Sequence, residues 1–239
     1  MGYVTVFKRY ELKYLITREQ KTRLLRDVEK YMRPDRYGRS TVRNVYFDTE
    51  SYLLIRRSIE KPIYKEKLRI RSYMRAAPDT PVFVEIKKKY DSVVYKRRLP
   101  ITEREAMLWV GGGEVSIPRT QIYREIDYFL HFYEGLEPRV FLSYEREAYY
   151  ALDDSDFRIT FDENILARCE ELSLGSEAYG TPLLDDGRVL MEIKCSGGIP
   201  LFMAEALSRE KIYKTSFSKY GEAYKKIIFP KTRGINNNG

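Results

Sequence analysis

Much of the chain alternates between apolar and polar residues with a period of two, which is the pattern of β-strands with one buried face. In YVTVFKRYELKYLI, residues Tyr3, Thr5, Phe7, Arg9, Glu11 and Lys13 share one face, and Tyr10, Leu12 and Tyr14 share the other. The same period predicts strands over STVRNVYFDT, IYKEKLRIRSYM, PVFVEIKKKY and VVYKRRLPI, and later over RVFLSYEREAYYAL, FRITFDENILA and RVLMEIKCSG. The short turn YDSV makes PVFVEIKKKY and VVYKRRLPI a hairpin. Helical spacing appears between these segments. Thr17 caps TREQKTRLLRDVEKYM, with Pro34 beyond its end, a short helix is predicted around residues 50 to 60, and residues 102 to 135 read as helical around Pro118. LFMAEALSRE and SKYGEAYKKIIF close the pattern, and the polar tail from residue 231 to 239, ending RGINNNG, is expected to be disordered. No linker composition or internal repeat interrupts residues 1 to 230, so the expectation is one α+β domain, mainly antiparallel β, with helices outside.

Composition narrows the chemistry. The 239 residues include 43 Lys and Arg against 35 Asp and Glu, a formal charge of +8. The roughly 20 consecutive apolar residues of a membrane span are absent, and the N-terminus is charged where a signal peptide would be apolar, so a cytoplasmic protein is expected. Cys169 and Cys195 are too few for a disulfide scaffold and are expected to be reduced. A single histidine, His131, excludes HExxH and multi-histidine metal sites; within IDYFLHFYEGL it is expected to pack. Neither GxxxxGK[ST] nor GxGxxG occurs, so no P-loop or Rossmann turn holds a nucleotide. Trp109 is expected to be a packing residue, and the acidic run from Asp153 to Asp156 lacks the glycine and distal glutamate of an EF-hand.

The polar strand faces carry full charges. Lys65, Lys67, Arg69 and Arg71 follow one another at every second position, about 6.5 to 7 Å apart, and Glu85, Lys87 and Lys89 share a face of the next strand. A sheet wetted on one side would give this pattern. So would a barrel of about eight strands whose cations converge on an inner face while helices cover an apolar exterior. A lumen of that kind suits a linear polyanion such as triphosphate or polyphosphate, held by Arg forks and Lys charges. Carboxylates among phosphates need a hard divalent cation between them, and Glu192 in LMEIK is the first candidate ligand for Mn²⁺ or Mg²⁺. Glu11, Glu85 and Glu145 read as salt-bridge partners that relieve cation repulsion.

The ordered set RYELKY, VYFDT, KEKLRIRSY, VEIKKKY with VVYKRR, SYEREAY, FRITFD, LMEIK and SFSKY resembles the catalytic domain of the vacuolar transporter chaperone (VTC) type, polyphosphate polymerases of the triphosphate tunnel metalloenzyme (CYTH-like) superfamily. The resemblance implies an eight-stranded antiparallel tunnel. It also implies an ATP-polyphosphate phosphotransferase that moves the terminal phosphoryl group of ATP to a growing chain, releasing ADP, with Mn²⁺ or Mg²⁺. By the same resemblance Lys13, Arg69, Arg71, Lys87, Arg146, Arg158 and Lys219 are catalytic positions. Lys67, Tyr144 and Ser218 are substrate-contacting ones, and Glu192 is the metal ligand; Lys194, two residues beyond Glu192 on the same face, and Glu11 are further substrate-contacting candidates read from the residues themselves. ATP and inorganic polyphosphate or triphosphate are the implied partners; nucleic acid is not. The superfamily signature ExExK reads Arg9, Tyr10, Glu11, Leu12, Lys13 here, which favours the polymerase branch. A metal-dependent triphosphatase and a non-catalytic polyanion-binding protein are the alternatives.

Overall fold

A computed structural model describes residues 10–91, 93–153 and 156–231. The strands are β1 (Tyr10–Thr17), β2 (Met32–Pro34), β3 (Ser40–Asp48), β4 (Tyr64–Ser72), β5 (Pro81–Tyr90), β6 (Val93–Thr102), β7 (Glu137–Ala151), β8 (Arg158–Arg168), β9 (Thr181–Pro182), β10 (Arg188–Cys195) and β11 (Lys214–Thr215). The helices are α1 (Arg18–Val28), α2 (Leu53–Ile59), α3 (Glu103–Val110), α4 (Gln121–Phe132), α5 (Leu201–Arg209) and α6 (Lys219–Ala223), the last continued by a π-helical turn over Tyr224–Ile228. The fold is α+β and mainly antiparallel, as the alternation predicts. Its eight strands of 8 to 15 residues are the eight expected; β2, β9 and β11, of two or three residues, are additional. The ladders among the described residues form an open order between β11 and β6 rather than the closed ring expected of a barrel. Residues of the expected first strand before Tyr10, Arg9 among them, and the tail beyond Lys231 lie outside the described residues, as does part of the Asp153 to Asp156 run.

The chain forms two compact units. The first comprises residues up to Thr41, Tyr144–Ile165 and Leu184–Phe217; the second comprises Val42–Ser143, Leu166–Leu183 and residues from Ser218. In the first the strand order is β11-β1-β10-β8-β7, with β2 on β7; in the second it is β7-β3-β4-β5-β6, with β7 and β8 each contributing residues to both.

Each unit buries one face of its sheet under helices. In the first, Tyr14, Ile16, Ile159, Phe161, Val189, Met191 and Ile193 pack with Leu24 and Val28 of α1 and with Met203, Ala206 and Leu207 of α5. Helix α1 starts where Thr17 and Gln20 form a capping box: Gln20 N–H donates to Thr17 Oγ1 at 3.2 Å and Thr17 N–H donates to Gln20 Oε1 at 3.0 Å. In the second unit, Leu68, Ile70, Val82, Val84 and Ile86 pack against Ala106, Trp109 and Val110 of α3 and Ile126 and Phe129 of α4. Trp109 is a packing residue as expected, stacked on Tyr123 with ring centroids 4.6 Å apart and donating from Nε1 to Asp127 at 3.2 Å. His131 is not: it lies exposed on the last turn of α4, its Nδ1 2.8 Å from the Asp127 carbonyl, because the apolar stripe of α4 runs through Ile126 and Phe129. Both cysteines are free.

Two polar knots fix loops of the second unit. Asp48, at the end of β3, accepts from the backbone N–H groups of Thr49, Leu54 and Ile55 at 2.9, 2.9 and 3.0 Å and from Tyr220 Oη at 2.9 Å, which ties the start of α2 to α6. Burial raises the Asp48 pKa, although these hydrogen bonds pull the other way. Arg168 donates to the carbonyls of Glu170, Glu171, Glu177 and Tyr179 and to Ser176 Oγ, and sits between the rings of Phe141 and Tyr179.

The apolar face under α3 and α4 is the energetic base of the second unit. Ile70→Ala, at a fully buried position, is expected to cost about 2–5 kcal/mol through lost transfer energy and a residual cavity. Urea denaturation followed by circular dichroism would read this as a lower midpoint at unchanged slope.

Candidate functional site

The opposite face of each sheet is charged. In the first unit the antiparallel register sets Lys13 opposite Glu192 and Glu11 opposite Lys194 between β1 and β10. Between β10 and β8 it sets Glu192 opposite Thr160 and Lys194 opposite Arg158. Two rows of polar side chains therefore cross three strands. The Glu192 carboxylate stands 3.7 Å from the ammonium groups of Lys13 and Lys194 and from the Arg146 guanidinium. Lys13 also approaches Glu11 at 3.6 Å and donates to the Phe217 carbonyl at 2.7 Å. Arg146 is clamped in a fork on Asp162, with Nε and Nη2 donating at 2.6 and 2.7 Å, and its guanidinium lies over the Tyr144 ring. Burial opposes that charge, but Asp162 outweighs it, with Tyr144 and Glu192 adding to the effect, and the Arg146 pKa rises well above its ordinary value. Arg158 stacks over Tyr150 and stands 3.9 Å from Asp35.

The charged face of the second unit is more one-sided. Register places Lys67 opposite Lys87 and Lys87 opposite Lys96, so three lysines cross β4, β5 and β6 in one row. Directly opposed like charges destabilise a sheet unless anions intervene. Glu85, 1% exposed, supplies one. It accepts from Arg69 Nε at 2.9 Å and lies 2.7 Å from Arg69 Nη2, 2.6 Å from Lys96 Nζ and 3.9 Å from Arg71. Burial would push its carboxyl pKa up, yet Arg69, Arg71 and Lys96 together hold it well below the usual carboxylate range. Burial lowers the Lys96 pKa, with Arg71 and Arg69 adding to the effect against the pull of Glu85, and the ammonium is pushed down to about 7. Arg69 Nη1 donates to Tyr46 Oη at 2.9 Å, and Arg71 Nε to Asn44 Oδ1 at 2.9 Å. Ser218, the N-cap of α6, accepts from Lys67 Nζ at 2.9 Å and from Gly221 N–H at 3.1 Å, which brings the adjoining Lys219 to the β4 strand.

The residues singled out in the sequence thus fall into two sets. Glu11, Lys13, Tyr144, Arg146, Arg158, Glu192 and Lys194 belong to the first unit, and Lys67, Arg69, Arg71, Lys87, Ser218 and Lys219 to the second. Glu85 is a salt-bridge partner, and so is Glu145, which pairs with Arg39. Asp162, Thr160, Lys96, Tyr46 and Asn44 are additions. Among the described residues no three His, Cys, Asp or Glu side chains are grouped to cage a metal. A single carboxylate among cations fits a hard ion that draws its remaining ligands from phosphate oxygens, the usual way Mg²⁺ is held beside phosphates.

The same architecture recurs in solved structures. A candidate adenylate cyclase from Bacillus halodurans superposes with a TM-score of 0.53 at 15% identity, covering 88% of this chain and 95% of that one. A candidate adenylyl cyclase from Hippeastrum, whose dominant activity is that of a triphosphatase, gives 0.52 at 13% identity over 89% and 93% of the two chains. A candidate adenylate cyclase from Vibrio parahaemolyticus gives 0.50 at 13% identity over 90% and 97%. The fold is therefore that of this cyclase and triphosphatase group. Residues 8–228 match the family model of the VTC domain, and the chain belongs to that family. No curated protein matches it. No helix among the described residues is long and apolar enough to cross a membrane.

The burial of Glu85 among three cations has a measurable consequence. Glu85→Gln leaves Arg69, Arg71 and Lys96 without their shared anion and is expected to destabilise by about 3–5 kcal/mol at neutral pH. Because the folded carboxyl pKa lies below that of the unfolded chain, the stabilisation is complete above the unfolded value near about 4.3 and declines as pH falls through and below it. Urea denaturation of both proteins between pH 3 and 6 should show the gap narrowing as the pH falls below about 5.

Proposed function

We propose that this protein is a polyphosphate polymerase, transferring the terminal phosphoryl group of ATP to a growing polyphosphate chain and releasing ADP. The observation that carries this reading is the lysine row of β4, β5 and β6, flanked by Arg69 and Arg71. Opposed like charges favour a ligand that adds anions to the row, and a chain of phosphates brings one per residue. Membership of the VTC domain family supports it.

Phosphoryl transfer needs positioning and charge stabilisation more than covalent chemistry from the protein. In the second unit Arg69 and Arg71 are held in orientation by Glu85, Tyr46 and Asn44, so their guanidinium groups meet phosphate oxygens with little ordering left to lose. Lys67, Lys87 and Lys219 add point charges, and Ser218 a hydroxyl. In the first unit Asp162 sets Arg146 in place, and Lys13, Lys194 and Arg158 surround Glu192 with positive charge. Glu192 would hold Mn²⁺ or Mg²⁺, which when bound supplies Lewis-acid stabilisation of phosphoryl oxygens. The cations stabilise charge that grows on the leaving ADP oxygen, the step in which preorganised donors count most.

Incubation of the purified protein with ATP and Mn²⁺, resolved on urea gels stained for polyphosphate, should show chains and a matching release of ADP. Glu192→Gln and Arg69→Ala are each expected to lower kcat/KM at least about 100-fold, a loss of the size seen when one transition-state donor is removed. Their circular dichroism should remain that of the parent. Release of orthophosphate with no chain would mark a triphosphatase instead, and salt-sensitive binding of polyanions without ATP turnover would mark a binding protein.

A further inference from the structure

Strand β8 presents Arg158, Thr160 and Asp162 on the charged face of the first unit, while Ile159 and Phe161 point into its core. Arg158 and Asp162 have evident uses there. Thr160 does not: its residue is 1% exposed, and its Oγ1 is buried with no hydrogen-bond partner among the described residues. A buried hydroxyl without a partner costs stability, and valine, of the same shape and equally suited to a strand, would remove that cost. The hydroxyl is therefore kept for something the ligand-free protein does not display.

Its neighbours narrow the choice. A hydroxyl donates one hydrogen, and the carboxylates that share this face are the acceptors of interest. Asp162, two residues along the same strand, has both oxygens engaged by Arg146. Glu192 lies directly across the ladder from Thr160. Cross-strand partners of this kind have Cβ atoms about 4.5–5.5 Å apart, so the Thr160 hydroxyl and the Glu192 side chain are within reach of one another. The Lys13, Arg146 and Lys194 groups stand 3.7 Å from that carboxylate, and phosphate oxygens compete for all three.

We infer that Thr160 is a positioning residue for Glu192: when a phosphate ligand draws the surrounding cations toward itself, the Thr160 hydroxyl donates to the Glu192 carboxylate and fixes its orientation for metal binding. The inference rests on the reading of Glu192 as the metal ligand. Carboxylates that ligate metals are themselves hydrogen-bonded, and loss of such a partner typically weakens metal binding about 10- to 100-fold.

The test uses the full chain with Mn²⁺ and tripolyphosphate, measuring bound Mn²⁺ by electron paramagnetic resonance and thermal stability in parallel. Thr160→Val should bind Mn²⁺ at least about tenfold more weakly than the parent. Its melting temperature in the absence of ligand should be equal or higher, and Thr160→Ser should restore the affinity. Unchanged Mn²⁺ affinity in Thr160→Val overturns the inference while leaving the reading of Glu192 in place, provided Glu192→Gln abolishes binding. A fall in melting temperature that serine repairs, with Mn²⁺ affinity unaltered, identifies a structural hydroxyl and also overturns it. Failure of the parent itself to bind Mn²⁺ with tripolyphosphate removes the metal reading and this inference together.

Discussion

Cations spaced two residues apart along a strand, and facing more cations across the ladder, repel one another in a setting where water screens them only in part. The fold holds them by embedding a few carboxylates deep in the same faces. Glu85 serves Arg69, Arg71 and Lys96, while Asp162 serves Arg146. The two differ in geometry. Asp162 closes a fork on Arg146, whereas Glu85 divides itself among three cations, one of which is pushed toward neutrality. In both cases the carboxylate fixes the orientation of an arginine by meeting both its Nε and a terminal nitrogen.

The apolar faces make that arrangement possible. Each unit uses one side of its strands for aliphatic and aromatic packing under two helices, so the polar side has no duty in forming the core. This division lets full charges occupy alternate positions along β1, β4, β5, β8 and β10 without weakening the cores. It also explains why the short C-terminal helix matters: through Asp48 and Tyr220 it is tied to α2, and through Ser218 to Lys67, so a segment far along the chain is brought to β4.

Most of this was legible in the residues because strands impose a strict period. The eight long strands, the face carrying Lys67, Arg69 and Arg71, and the partnership of Glu85 follow from alternation alone. Strands β2, β9 and β11 were not legible, since two or three residues cannot display a period. Thr160 and Asp162 could have been found: in FRITFD they stand two and four residues after Arg158 and must share its face. Lys96, Tyr46 and Asn44 required the cross-strand register, which long-range pairing decides. His131 was misplaced because an amphipathic helix offers a polar as well as an apolar stripe, and its neighbours in sequence belong to both. The role of each site residue rests on chemistry, beyond what pattern or position can give.

The guanidinium of Arg168 grips the following loop by four main-chain oxygens and a serine, with aromatic rings on either side. A segment anchored by its carbonyls owes little of its path to the identity of its side chains. Glu170 and Glu177 could therefore drift to other residues over evolutionary time while the curve they trace persists, whereas exchange of Arg168 itself, even for lysine, would release the whole stretch at once.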